Sequence, residues 1–133
     1  MSNVRKIASA IVLKEKEILL TKRKYNPYKN KWCAPGGFTE KEIKESVEDC
    51  AIRETKEETN IDVELIKKIK VLEHYNKEKE RTEEVHLFLA KPLTLILKAS
   101  DEVLDAKWFN LNELNQISLV SSLKKVLLDF IDS

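Results

Sequence analysis

The sequence predicts an α+β fold, an α/β/α sandwich in which a central mixed β-sheet lies between helices. Three observations lead there. Apolar, β-branched runs of strand length stand on both sides of one long stretch with helical periodicity. The chain finishes on two short amphipathic segments, "LNELNQI" and "VSSLKKVLLDFI", suited to helices that cover a sheet. No repeat, low-complexity tract or linker divides the 133 residues, so 1–133 is expected to be a single domain with one core.

In chain order, "KIASAIVLK" (6–14) reads as a buried strand, "EKE" as a polar turn and "ILLTKRK" (18–24) as the hairpin partner. "YNPYKNKW" has the Pro/Asn chemistry of a loop, and its aromatics Tyr25, Tyr28 and Trp32 either flank a pocket or lid the core. "CAPGGF" is a turn holding both glycines of the chain, which points to unusual backbone angles or to close approach of another group. From about 45 to 59 the pattern is helical, with Val47, Cys50 or Ala51, and Glu54 on one face. Asn60 suits the left-handed residue that ends a helix. "IDVELIKKIKVLEHY" reads as one long or bent strand and "EEVHLFLAK" (83–91) as another, with "NKEKERTEE" between them as a mobile hairpin tip. "LTLILKA" and "AKWFNL" continue the strand pattern.

Composition narrows the function. Twenty-four basic residues against twenty-three acidic ones leave a charge of +1, which argues against stable nucleic-acid binding. No apolar run is long enough for a membrane span and the N-terminus lacks a signal-peptide pattern, so a cytoplasmic location and no membrane partner are expected. Cys33 and Cys50 lack metal-site or redox-motif spacing and are expected to be free thiols. His74 and His86 read as a sheet-surface and a sheet-core residue rather than as catalysts.

The unusual feature is at the end of the central helix. Glu54, Glu57 and Glu58 share one helical face, where they repel one another by a few tenths of a kcal/mol per pair. They also sit where the helix dipole disfavours carboxylates by roughly 0.3–1 kcal/mol each. A solvated acidic face is one reading. A divalent cation is the other, because coordination turns the repulsion into attraction and hard oxygen donors suit Mg²⁺ or Mn²⁺. Arg53 likewise has two readings: an ion pair with Asp49 one turn earlier, or a bridge to Glu45 that orients the carboxylates.

These residues together resemble the box motif of the Nudix (MutT-like) hydrolase family. Gly37, Glu45, seven residues and then "RETKEETNI" match it over 37–61, "APGGF" matches its lead-in, and "AKWFNLNEL" resembles a frequent family ending. Three departures stand out. Seven residues rather than five separate Gly37 from Glu45, Thr55 occupies a normally apolar position, and Asn60 replaces the closing glycine.

The resemblance implies a Nudix-type sandwich and Mg²⁺-dependent hydrolysis of a pyrophosphate bond in a nucleoside diphosphate linked to X, with Mn²⁺ able to substitute. It implies Glu54, Glu57 and Glu58 as metal ligands, with the carbonyl of Gly36, and Glu45 and Arg53 as the pair that orients them. A further carboxylate from outside the box is expected to act as ligand or general base. Glu102 is the first choice, with Asp101 and Glu84 as runners-up. Arg23, Trp32 and Phe38 are the substrate-binding candidates, through phosphate contact or base stacking.

Short length and elimination favour a MutT-like nucleoside triphosphate pyrophosphohydrolase, of damaged nucleotides among others: Tyr75 and Asn76 lie where the resemblance implies a proline in ADP-ribose pyrophosphatases. ADP-ribose or dinucleoside polyphosphate hydrolysis is the alternative, as is a non-catalytic Nudix module that binds a nucleotide. An acidic helix with no ligand is the third class. The expected partner is a small-molecule nucleotide, and the chain is expected to be a monomer or homodimer.

Overall fold

Strand β1 (Val4–Lys14) is the element on which the sheet is assembled, in a computed structural model that describes residues 3–131. The outermost residues of the expected 1–133 domain therefore lie outside the described ones. β1 is apolar on both faces because both are covered, as in a central strand. It turns back into β2 (Glu17–Arg23), with Leu13 opposite Ile18. On its other edge it runs parallel to β6 (Arg81–Pro92), from Val4 opposite Thr82 to Val12 opposite Ala90. β6 pairs antiparallel with β5 (Val63–Asn76), and β2 with β7 (Val103–Asn110). β3 (Trp32–Cys33) pairs with β2, and β4 (Gly36–Phe38) with β1. One parallel pairing among antiparallel ones makes the sheet mixed, as the strand pattern predicts.

The two faces of β1 separate the two helices. Ala8 packs with Phe88 and with Cys50 and Ala51 of α1 (Val47–Thr59). Ile11 and Leu87, an odd number of residues from Ala8 and Phe88 and so pointing the other way, pack with Leu123, Val126 and Leu127 of α2 (Ser121–Ile131). The result is the expected α/β/α sandwich. A 3-10 helix, Leu111–Gln116, stands where "LNELNQI" is read as a short amphipathic helix. Among the described residues no helix is long and apolar enough to cross a membrane.

Three local expectations change. "LTLILKA" is not a strand: after Pro92 the chain leaves the sheet, and Leu93, Leu95 and Ile96 are exposed. Its backbone crosses the end of α1 instead, where Asn60 Nδ2 donates to the Ile96 carbonyl at 2.9 Å. The hairpin tip is shorter than read, since β6 already begins at Arg81. "CAPGGF" is not simply a turn, because Gly36–Phe38 is a strand in register with Ile7–Ser9.

Candidate metal and active site

Helix α1 begins two residues later than the periodicity suggests. Ser46 is its N-cap, with Oγ accepting from the Asp49 N–H at 3.0 Å. This leaves Glu45 in the preceding loop, free to swing back along the helix. Asn60 closes the helix with φ 67°, the left-handed conformation expected of it, and its N–H donates to the Lys56 carbonyl. Thr55, at the normally apolar position, is fully buried and satisfies its hydroxyl by donating to the Ala51 carbonyl at 2.7 Å. Both departures from the family pattern are therefore absorbed locally.

Arg53 joins the acidic groups. Its Nε donates to Glu45 Oε2 at 2.7 Å and its Nη2 to Glu45 Oε1 at 2.9 Å, a two-point bridge. Its Nη1 reaches Glu54 Oε1 at 3.0 Å and Glu57 Oε2 at 3.1 Å. Of the two sequence readings the Glu45 bridge is the one observed; among the described residues no ion pair joins Arg53 to Asp49. The hydrogen bonds from Arg53 hold the Glu45 carboxyl below its usual range, and Glu45 in turn raises the already high pKa of Arg53.

The longer loop leaves this arrangement intact. Residues 41–44 fold into a turn, with Lys44 at φ 51°. The loop is then clipped shut by hydrogen bonds from the Glu45 N–H to the Glu40 carbonyl and from the Glu40 N–H to Glu45 Oε1, both 3.1 Å. Residues 41–44 are exposed, and Glu45 reaches Arg53 from the end of this loop.

The glycines are required by crowding, not by backbone angle, since neither has a positive φ. A Cβ on Gly36 would lie 2.1 Å from Ser9 Oγ and 2.4 Å from the Ala8 carbonyl oxygen. One on Gly37 would lie 2.6 Å from the Glu54 carboxyl carbon. A carbonyl ligand, which any residue offers, is thus not what demands glycine at 36. The β4 strand is also tied to α1 by Cys50, whose thiol donates to the Gly37 carbonyl at 3.3 Å.

Carboxylate oxygens of Glu54, Glu57 and Glu102 lie within 4.8 Å of one another. Glu102 is brought there from the loop before β7. Glu58 is turned inward, with Oε1 accepting from the Gly36 N–H at 3.3 Å, and is only 8% exposed. Burial, with the nearby Glu54 charge second, pushes its carboxyl up to about 9. Burial also raises Glu54, against the opposing pull of Arg53. Glu58 has no cationic partner among the described residues. One buried and one half-buried carboxylate, beside two exposed ones and with too little positive charge, fit a hard divalent cation, which would supply what Arg53 does not. The donor set therefore suits Mg²⁺ or Mn²⁺.

The other candidates fall in different places. Asp101 presents its backbone to the site's edge, its carbonyl accepting from Lys24 Nζ at 2.7 Å. Glu84 pairs with His86 Nε2 at 3.2 Å, and His86 is buried in the sheet as expected while His74 is exposed. Arg23 ends β2 and donates from Nε to the Pro27 carbonyl at 2.7 Å. Trp32 lies edge-on to Phe109 at 4.7 Å and packs on the core, so of its two readings the structure has the lid over the core. Phe38 is 38% exposed beside a cleft of about 260 Å³, with the guanidinium carbons of Arg5 and Arg81 at 4.8 Å and 5.2 Å from its ring centre. Arg5, Arg81, Lys24 and Ser100 gave no signal in the sequence, because their partners are distant along the chain or are backbone atoms.

Comparison with known proteins agrees with this geometry. The family model described as the NUDIX domain matches residues 4–130. The chain is 38% identical over 112 residues to an ADP-ribose pyrophosphatase of Methanocaldococcus jannaschii, an alignment covering 81% of this chain and 63% of that protein. It superposes with TM-score 0.79 and 32% identity on a NUDIX hydrolase from Nitrosomonas europaea, covering 96% of this chain and 69% of the other. A bifunctional NMN adenylyltransferase/ADP ribose pyrophosphatase from Francisella tularensis, complexed with AMP and a manganese ion, matches with TM-score 0.74 and 27% identity, covering 99% of this chain and 42% of the other. With a family match spanning nearly all of the sequence, and with Glu45, Arg53 and the glutamate cluster in one constellation, the chain belongs to the NUDIX domain family.

Proposed function

We propose that the chain hydrolyses the pyrophosphate bond of a nucleoside diphosphate linked to X, with a divalent cation as cofactor and ADP-ribose as the substrate. The observation that carries the reaction is the meeting of Glu54, Glu57 and Glu102 within 4.8 Å beside the buried Glu58. ADP-ribose is preferred to the nucleoside triphosphate that chain length suggested, because of the 38% identity to an ADP-ribose pyrophosphatase. Water would attack phosphorus, and the products would be AMP and ribose 5-phosphate.

When bound, Mg²⁺ (or Mn²⁺) neutralises pyrophosphate oxygens and acidifies water. The chain supplies the rest. Glu54, Glu57 and Glu58 hold the cation, with the Gly36 carbonyl as a backbone donor. Glu102, within 4.8 Å of Glu54 and Glu57, is a further ligand from outside the box. Glu45 and Arg53 fix the orientation of Glu54 and Glu57. Phe38, beside its cleft, stacks on the nucleotide, with Arg23 at the end of β2 as a phosphate contact and Trp32 held against the core.

The test is a substrate panel of ADP-ribose, the nucleoside triphosphates and a diadenosine polyphosphate, with Mg²⁺ or Mn²⁺ and product identification. Release of AMP and ribose 5-phosphate from ADP-ribose, ahead of any triphosphate turnover, is expected. Preferential pyrophosphate release from triphosphates would move the assignment to the MutT-like reading. Tight binding of ADP-ribose without turnover would make the chain a binding module.

A further inference from the structure

We propose that Ser100 and Lys24 are positioning residues that clamp Glu102 against the glutamates of α1. The inference rests on the role given to Glu102 above.

Residues 93–102 have no regular secondary structure, yet their backbone is fixed. The Lys98 N–H donates to the Thr59 carbonyl and the Ser100 N–H to the Glu58 carbonyl, each at 3.0 Å. These are helix-end carbonyls, which no intrahelical donor reaches. The segment therefore takes its register from the turn of α1 that carries Glu57 and Glu58.

Ser100 in turn holds the residues after it. Its Oγ accepts from the Glu102 N–H at 3.3 Å and its carbonyl from the Val103 N–H at 3.3 Å. From the opposite side the half-buried Lys24 donates Nζ to the Asp101 carbonyl at 2.7 Å, across 77 positions of sequence. Lys24 comes directly after the irregular end of β2, where Arg23 pairs with Val103, so its reach to residue 101 is set by the sheet. The backbone of Glu102 is thus bracketed by a hydroxyl on one side and an ammonium-held carbonyl on the other.

Such a clamp has a physical reason. Glu102 is exposed, on a loop, and faces two carboxylates of its own sign. Left to itself the loop would move away whenever no cation is present, and each cation would have to recapture it. Held in place, Glu102 forms part of a ready-made donor set, and the entropy of ordering it is spent at folding.

The test compares Lys24→Met, Lys24→Arg, Ser100→Ala and Glu102→Gln, and the double variants Lys24→Met/Glu102→Gln and Ser100→Ala/Glu102→Gln. Thermal denaturation checks that each is folded. Two readouts are taken: kcat and KM for ADP-ribose, and Mn²⁺ affinity by electron paramagnetic resonance without substrate. Lys24→Met and Ser100→Ala are each expected to lower kcat and Mn²⁺ affinity about tenfold with little change in KM. Lys24→Arg should recover most of the loss. Neither change should add to the loss already caused by Glu102→Gln, because both act through that residue. Multiplying losses in the double variants, or wild-type kcat and Mn²⁺ affinity in Lys24→Met and Ser100→Ala, overturn the clamp alone. Wild-type behaviour of Glu102→Gln overturns the role of Glu102, and the clamp with it.

Discussion

Glu58 is the residue whose chemistry depends most on what lies beside it. An ordinary glutamate in the unfolded chain ionises near pH 4.5, whereas burial raises the folded carboxyl to about 9. Between those values the folded chain keeps a proton that the unfolded chain has lost. The metal-free protein should therefore lose stability as pH rises from about 4.5 towards 9 and level off beyond. Glu58→Gln should flatten that slope in denaturation curves measured with a chelator. If Glu58 is a ligand as proposed, cation binding expels the same proton, so Mg²⁺ affinity should rise over that interval. Glu45 has the opposite sign: Arg53 lowers its pKa, so its contribution is present at neutral pH, declines as pH falls below about 4.5 and is gone once pH passes that lowered value. The glycines make a paired residue-scale prediction. Gly36→Ala drives a Cβ into backbone at 2.4 Å and should cost about 2 kcal/mol or more, read as a lower urea midpoint. Gly37→Ala meets only the end of a flexible glutamate, so it should cost less stability and mainly weaken cation binding.

At the scale of elements, α1 owes its start to Ser46. Ser46→Ala removes the bond to the Asp49 N–H and should cost about 1 kcal/mol with an unchanged denaturant slope. The helix, its closing Asn60 and the acidic face were legible in the sequence because they rest on contacts within four residues. The Glu45–Arg53 bridge stood in the sequence as one of two options, since spacing alone cannot tell a partner eight residues away from one at four. The segment "LTLILKA" was misleading. Its apolar pattern fits a strand, but the Lys98 N–H bonds the helix-end carbonyl of Thr59, and Asn60 Nδ2 holds the Ile96 carbonyl, where a strand would have a neighbouring strand. The strand Gly36–Phe38 was hidden for a related reason, being only three residues long and defined by what β1 presents to it.

Across the whole molecule, two helices fix opposite faces of one sheet, and the site lies where α1, β4 and the loop before β7 converge. A cation held by residues from all three, as proposed, should stabilise the folded chain globally. At a free concentration of one hundred times Kd the gain should be about 2.7 kcal/mol, and chelator should reverse it as a lowered Tm. Glu57 contributes to this cluster while being exposed, so Glu57→Gln should leave metal-free stability within about 0.5 kcal/mol of the wild type. That makes it the cleanest probe of function. The most direct test is the rate of AMP release from ADP-ribose by wild type and Glu57→Gln, with Mg²⁺ and with chelator. Release that needs Mg²⁺ and falls at least about a hundredfold in the variant is the predicted result. Release unchanged by the variant, or equal in chelator, would contradict the assignment of the acidic helix end to catalysis.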